Sequence, residues 1–251
     1  MKLKCAFAAA VSCYVICTAS LLLVLYVDFL GDYLNKISKI VFTVLIFVSA
    51  YAGSYFRCRI SADEAGTVMR KTTVFLFAVY AAVIVDFTLI DGTFGRNASC
   101  ILKMSSQEIS YYLKNNVNVI PFATIKLFLK GYKNGNVYFS EMLENLLGNF
   151  LVMMPLAFFI PIVFKRQFKF LQFVLIITAT VCVIEMLQIF FVAGAADVDD
   201  LILNLSGAIC ARLFLENKKI SRLVSVYTFG LWGESDEFSL NKGACKNKSD
   251  A

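Results

Sequence analysis

Residues 185–207 read EMLQIFFVAGAADVDDLILNLSG, setting four carboxylates and two carboxamides between two strongly apolar runs. Glu185, Asp197, Asp199 and Asp200 stand there with Gln188 and Asn204, in a chain that elsewhere keeps charge out of such runs. A charged residue at the centre of a membrane helix costs roughly 2.5–3.5 kcal/mol on insertion scales, so it faces partners or a water-filled cavity. Whether that cost applies depends on what the flanking apolar runs are.

The 251 residues are 59% hydrophobic and 17% charged, with a mean hydropathy of +0.72. A soluble domain is about half apolar and roughly a quarter charged. Six runs match the roughly 20 residues needed to cross hydrocarbon: 5–27, 37–56, 73–90, 145–164, 168–193 and 198–215. The chain therefore reads as an all-α, polytopic membrane bundle of about six transmembrane helices. Two N-terminal helices occupy residues 1–72, a transmembrane domain 73–215, and a polar tail 216–251.

The net charge of +6 does not point to nucleic acid, because Lys and Arg lie between the apolar runs rather than along one stripe. With no His, a Ser-His triad and a zinc hydrolase are excluded. The eight Cys form no C-x-x-C pair, and Cys5, Cys13, Cys17, Cys182 and Cys210 fall inside apolar runs as small hydrophobes. No cofactor and no metal site are expected.

Residues 91–144 are more than a loop. Ser105 and Glu108 have capping-box spacing ahead of EISYYLKNN. In PFATIKLFLKGY, Phe122, Ile125, Phe128 and Leu129 share one side of a helix with Lys126 and Lys130 beside it. Such a segment lies in the membrane interface or packs over the bundle. In the run that follows, Pro155 and Pro161 free carbonyls and bend the axis.

Orientation follows from the cations flanking the spans. Lys2, Lys4, Arg57, Arg59, Arg70, Lys71, Lys165, Arg166 and Lys169, with Arg212 and the basic residues of the tail, fall on one side, against Lys36 and Lys39 in the short connections opposite. Both termini are expected to be cytoplasmic. Asp86, Asn145, Asn149, Glu185, Gln188, Asp197, Asp200 and Asn204 then gather at one depth near the outer face. Their i, i+3, i+4 and i+7 spacings put them on common helix faces, and Gly148, Gly207 and Ala211 keep those faces thin.

The expected product is an outward-facing polar pocket. Glu185 and Asp200 are candidate acid/base groups if burial separates their pKa values. Carboxylates with amides also suit Ca²⁺ or Mg²⁺, although nothing matches an EF-hand loop. The plain alternative is hydrogen bonding across helices, worth about 0.6–2 kcal/mol each. Asp197 serves equally well as a cap for the last helix, while Asp199, Asp63 and Glu64 are expected to be ordinary exposed residues. A transporter is disfavoured because the polar groups trace no path to the other side.

These residues resemble the VanZ-like membrane proteins. NVIPFATI from Asn118, NLLGNFLVMMPLAFFIP from Asn145, EMLQ from Glu185 and DVDDLILNLSG from Asp197 are similar to the family's N-x-x-P-F, N-x-x-G-N-x-x-x-x-x-P, E-x-x-Q and D-x-D-D-x-x-x-N-x-x-G elements, in the same order. FTLIDGTFGR, ending at Arg96, resembles the segment leading into the first of them; Ala157 departs from the family's frequent Gly. The resemblance adds Arg96 and Asn118 to the pocket and implies a multi-pass protein of the bacterial cell membrane. Its name-giving member is associated with reduced susceptibility to teicoplanin-type lipoglycopeptides. The expected partners are membrane lipids and a lipid-linked envelope precursor or lipoglycopeptide, held by a binding protein or, alternatively, processed by a membrane enzyme.

Overall fold

The computed structural model describes residues 2–29, 36–90 and 101–232. Arg96 lies outside them. The described chain is a succession of helices: α1 (Lys2–Phe29), α2 (Lys36–Ile60), α3 (Ala65–Val85), α4 (Ser106–Asn116), α5 (Ala123–Lys133), α6 (Phe139–Val152), α7 (Leu156–Val163), α8 (Phe170–Phe190), α9 (Val198–Glu216) and α10 (Lys218–Tyr227). The only strands among the described residues are the two-residue β1 (Val117–Asn118) and β2 (Ala196–Asp197).

Among the described residues, five helical stretches are long and apolar enough to cross a membrane: Lys4–Leu25, Ser38–Ile60, Ala62–Ile90, Phe139–Val163 and Phe170–Phe190. The run expected as the sixth does form, as α9, but Asp199, Asp200 and Arg212 dilute its apolar character. The fourth stretch begins at Phe139, earlier than expected, and is broken where Pro155 cannot donate to the helix ladder. The chain crosses that break with tight i→i−3 bonds from Leu156 N to Met153 O and from Phe158 N to Pro155 O.

Packing divides the chain into two compact units. The first contains α1, α2, most of α3, most of α7, and α10. The Tyr14 ring lies where a Cβ on Gly53 would come within 3.1 Å of it. Phe159 sits among Phe47, Phe77 and Tyr80, with ring centroids 6.4, 5.7 and 5.6 Å away. Arg70 donates from Nη2 to Ile162 O at 3.1 Å. The tail expected to be polar starts as an ordered part of this unit: Tyr51 OH donates to Tyr227 O at 2.7 Å, and Trp232 is buried with its indole N–H on Ser221 Oγ at 3.0 Å.

The second unit contains α4, α5, α6, α8, α9 and the strand pair. A Cβ on Gly207 would fall 1.7 Å from the carbonyl oxygen of Phe150, so α6 and α9 meet backbone to backbone and only glycine fits. Gly148 plays no such part, since a Cβ there meets nothing within 4 Å. Arg212 ties α9 to the start of α8, donating from Nη2 to Phe168 O at 2.7 Å with its guanidinium 4.9 Å from the Phe173 ring centroid. In α5, Ile125 and Phe128 are half-buried while Phe122, Leu127 and Leu129 are exposed, so the expected apolar face is only partly covered.

Candidate functional site

The site begins with a backbone pairing. β1 and β2 run parallel with Val117 opposite Ala196 and Asn118 opposite Asp197, bringing the N-x-x-P-F segment against the D-x-D-D segment. Asn118 donates from Nδ2 to Asp197 Oδ1 at 2.9 Å and to Thr124 Oγ1 at 3.2 Å, and accepts from Ile120 N at 3.0 Å. The Asn118 side chain thus fixes the turn that carries Pro121 into α5. Thr124 Oγ1 donates to Asp197 Oδ2.

The three aspartates of DVDD divide the work. Asp197 accepts the N–H of Asp199 at 2.8 Å, which is an N-cap on α9. The cap foreseen for Asp197 is therefore present. Asp199, expected to be exposed, is fully buried. Its Oδ1 accepts from Phe122 N at 2.5 Å, and its Oδ2 from Thr124 N at 2.8 Å and Ile125 N at 3.0 Å. These are orphan donors of the first turn of α5, where the helix dipole favours a negative charge. Phe122 meets them in the left-handed region, at φ 64°. Asp200 points to α6, accepting from Asn149 Nδ2 at 2.5 Å.

Spacing explains this division. Asp197 precedes the helix; Asp199 and Asp200 are successive residues in its first turn, pointing about 100° apart, one toward α5 and the other toward α6. One turn on, Asn204 donates to the backbone oxygen of Asp200 at 2.7 Å. On α8, Glu185 accepts the N–H of Asp197 at 3.1 Å, and Gln188 donates to Thr88 O at 3.3 Å. Thr88 belongs to Asp86–Ile90, a π-wound turn that continues α3. Tyr112 of α4 donates to Gly194 O at 2.5 Å, holding the turn before β2.

The structure therefore brings Asn118 to Asp197, Asn149 to Asp200, Glu185 to the backbone of Asp197 and Asn204 to that of Asp200. Gln188 is held by the π-wound turn, while Asn145 is half-buried one turn before Asn149. Residue spacing missed Asp199, Thr124, Tyr112 and Thr88. Thr124 and Asp199 each carried a signal, being polar residues inside the quoted NVIPFATI and DVDDLILNLSG patterns.

A further property is visible only in three dimensions. Among the described residues, the side-chain oxygens of Asn145, Gln188 and Asn204 are buried without a hydrogen-bond partner. Asn204 and Gln188 are 4% and 5% exposed. Their amide nitrogens are committed to carbonyls, which fixes the orientation of each amide and leaves the oxygen as the unmatched atom. A buried unpaired acceptor costs about 1–3 kcal/mol, and native proteins keep few of them. No group of three or more His, Cys, Asp and Glu among the described residues is arranged to hold a metal ion. The site is thus rich in oxygen acceptors on both carboxylates and carboxamides.

The VanZ/LLP1 family model matches residues 77–217. No curated protein and no solved structure matches the chain at a significant level. The family match covers more than half of the 251 residues and takes in every described residue of this site, and the chain belongs to the VanZ-like family.

Proposed function

We propose that this VanZ-like membrane protein acts at the bacterial cell envelope as a binding protein. In this reading both termini are cytoplasmic, and the pocket around Asn145, Asn149, Glu185, Gln188, Asp200 and Asn204 opens to the outer face. It takes a group rich in hydrogen-bond donors, such as the sugar hydroxyls and amide N–H groups of a lipid-linked envelope precursor. By holding that component it lowers access of a teicoplanin-type lipoglycopeptide to the membrane surface. Asn118 belongs to the same pocket, as the residue that shapes its wall.

The observation that supports this reading best is the pair of buried carboxamide oxygens on Gln188 and Asn204 that no group of the described protein satisfies. A fold that leaves acceptors unmatched at that cost supplies them to something else. Binding is favoured over acid/base chemistry because Asp200 accepts from a side-chain amide and Glu185 from a backbone N–H, which are positioning contacts.

The test is expression in a susceptible bacterial host, comparing the wild type with Asn204→Leu. Wild type is expected to raise the teicoplanin concentration needed for killing and to lower the amount of fluorescent teicoplanin on intact cells; the variant is expected to do neither. Unchanged susceptibility and unchanged surface binding with a well-expressed wild type would defeat the resistance reading. The binding reading stands or falls separately, on whether purified protein retains a lipid-linked precursor that Asn204→Leu releases.

A further inference from the structure

A second polar feature lies in the other unit, far in sequence from the site above. Where α2 turns into α3, a cleft of about 410 Å³ is lined by Tyr14, Arg57, Asp63, Glu64, Lys71 and Thr72, among others. A cavity of this size is within the range that holds small ligands. Its rim carries two cations and two carboxylates.

The wall contains a chain of hydrogen-bonded hydroxyls. Thr72 Oγ1 lies 3.1 Å from Val68 O, to which it can donate, and 2.5 Å from Ser54 Oγ. Ser54 is fully buried and shares a hydrogen bond of 2.9 Å with Tyr14 OH. The phenol oxygen of Tyr14 is thereby anchored to the wall. It keeps acceptor capacity on the cleft side, where a ligand donor would be matched.

The charges on the rim are not locked together. Arg57 Nη2 and Glu64 Oε2 are 3.9 Å apart with both side chains more than half exposed, and such a pair contributes little and opens readily. The cleft thus offers guanidinium and ammonium donors together with carboxylate and phenol acceptors. That set matches a phosphate and an amine carried on one small molecule. The turn it occupies joins the stretches Ser38–Ile60 and Ala62–Ile90, both fit to cross a membrane. Chains leave hydrocarbon at such turns, at the depth of lipid headgroups.

We propose that this cleft binds a phosphate–amine zwitterion, the headgroup chemistry of an aminophospholipid. Arg57 and Lys71 take the phosphate; Asp63, Glu64 and the Tyr14 oxygen take the ammonium. The assignment is independent of the carboxamide site.

The experiment uses the full chain in nanodiscs of equal phosphatidylethanolamine and phosphatidylglycerol content, with native mass spectrometry reading the lipid retained. Wild type is expected to keep phosphatidylethanolamine in preference, and soluble phosphoethanolamine is expected to displace it. Arg57→Gln with Lys71→Gln should lower that retention by roughly tenfold, the effect of losing charge-assisted contacts. Asp63→Asn with Glu64→Gln should instead turn the preference toward phosphatidylglycerol, a reversal that misfolding does not produce. Binding of soluble phosphoethanolamine without lipid preference would keep the site and assign it a water-soluble ligand. Equal retention of both lipids by wild type with no binding of phosphoethanolamine, or a preference unmoved in both double variants, would overturn the proposal.

Discussion

The carboxylate of Asp199 accepts the backbone N–H of Thr124 at 2.8 Å across a separation of 75 residues. With the N–H groups of Phe122 and Ile125 on the same carboxylate, the first turn of α9 caps the first turn of α5. Hydrogen bonds to a charged group contribute about 1.5–3 kcal/mol each, part of which offsets the burial of the charge. Asp199→Ala should therefore destabilise the protein by about 3 kcal/mol, read as a lower unfolding midpoint in detergent. Asp63→Asn, at an exposed position, should change it by less than about 0.5 kcal/mol. Equal effects at the two positions would contradict the capping role.

The close approach of α6 and α9 predicts a sharp contrast between two glycines. Gly207→Ala places a methyl 1.7 Å from the Phe150 oxygen and should cost about 2–3 kcal/mol or prevent assembly. Gly148→Ala has open space and a helical backbone, so it should be neutral or stabilising by up to about 1 kcal/mol. Thermal unfolding of the two variants side by side separates these outcomes.

Asn204→Leu should trade function for stability. It removes a buried acceptor without a partner, and the carbonyl of Asp200 that its amide reaches is already within a helix. A gain of about 1 kcal/mol in unfolding free energy is expected together with loss of the envelope phenotype. If stability falls as steeply as for Asp199→Ala, Asn204 is a structural residue and the binding reading loses its support.

The capping box of α4 supplies a pH dependence. Glu108 accepts from Ser105 N at 2.7 Å and from Ser105 Oγ at 2.8 Å, and these bonds hold its carboxyl below its ordinary value of 4.5. A lowered folded-state pKa means the contribution is fully present above the ordinary value and is lost as pH falls through the lowered one. The protection factor of the Ser105 amide, its exchange rate taken relative to an unstructured peptide at the same pH, should fall on acidification below about pH 4.5 and lose that dependence in Glu108→Gln.

Orientation is open to direct labelling. With native cysteines replaced, a cysteine at Asn134, exposed at the end of α5, should react with an impermeant thiol reagent on intact cells. A cysteine at the exposed Arg166 should react only after permeabilisation. The reverse pattern would invert the proposed topology and close the outward-facing reading of the pocket.

Apolar run length and proline position are local properties, so the helical membrane architecture, the capping box at Ser105 and the break at Pro155 were legible in the chain itself. So were most residues of the polar cluster, because a carboxamide or carboxylate inside an apolar run is anomalous wherever it points. What each does depended on its partners. DVDD places Asp199 between Asp197 and Asp200 with nothing local to distinguish it; only the parallel pairing of Asn118 with Asp197 delivers the α5 N-terminus to its carboxylate. The unmatched oxygens of Gln188 and Asn204 are likewise a property of packing, since an amide's satisfaction is decided by atoms far away in the chain. The sequence by itself determined that this is a helical membrane protein with a polar cluster of these residue types. Only tertiary structure decided which carboxylates hold the fold together and which acceptors are left unmatched, because hydrogen bonds are satisfied in space and not along the chain.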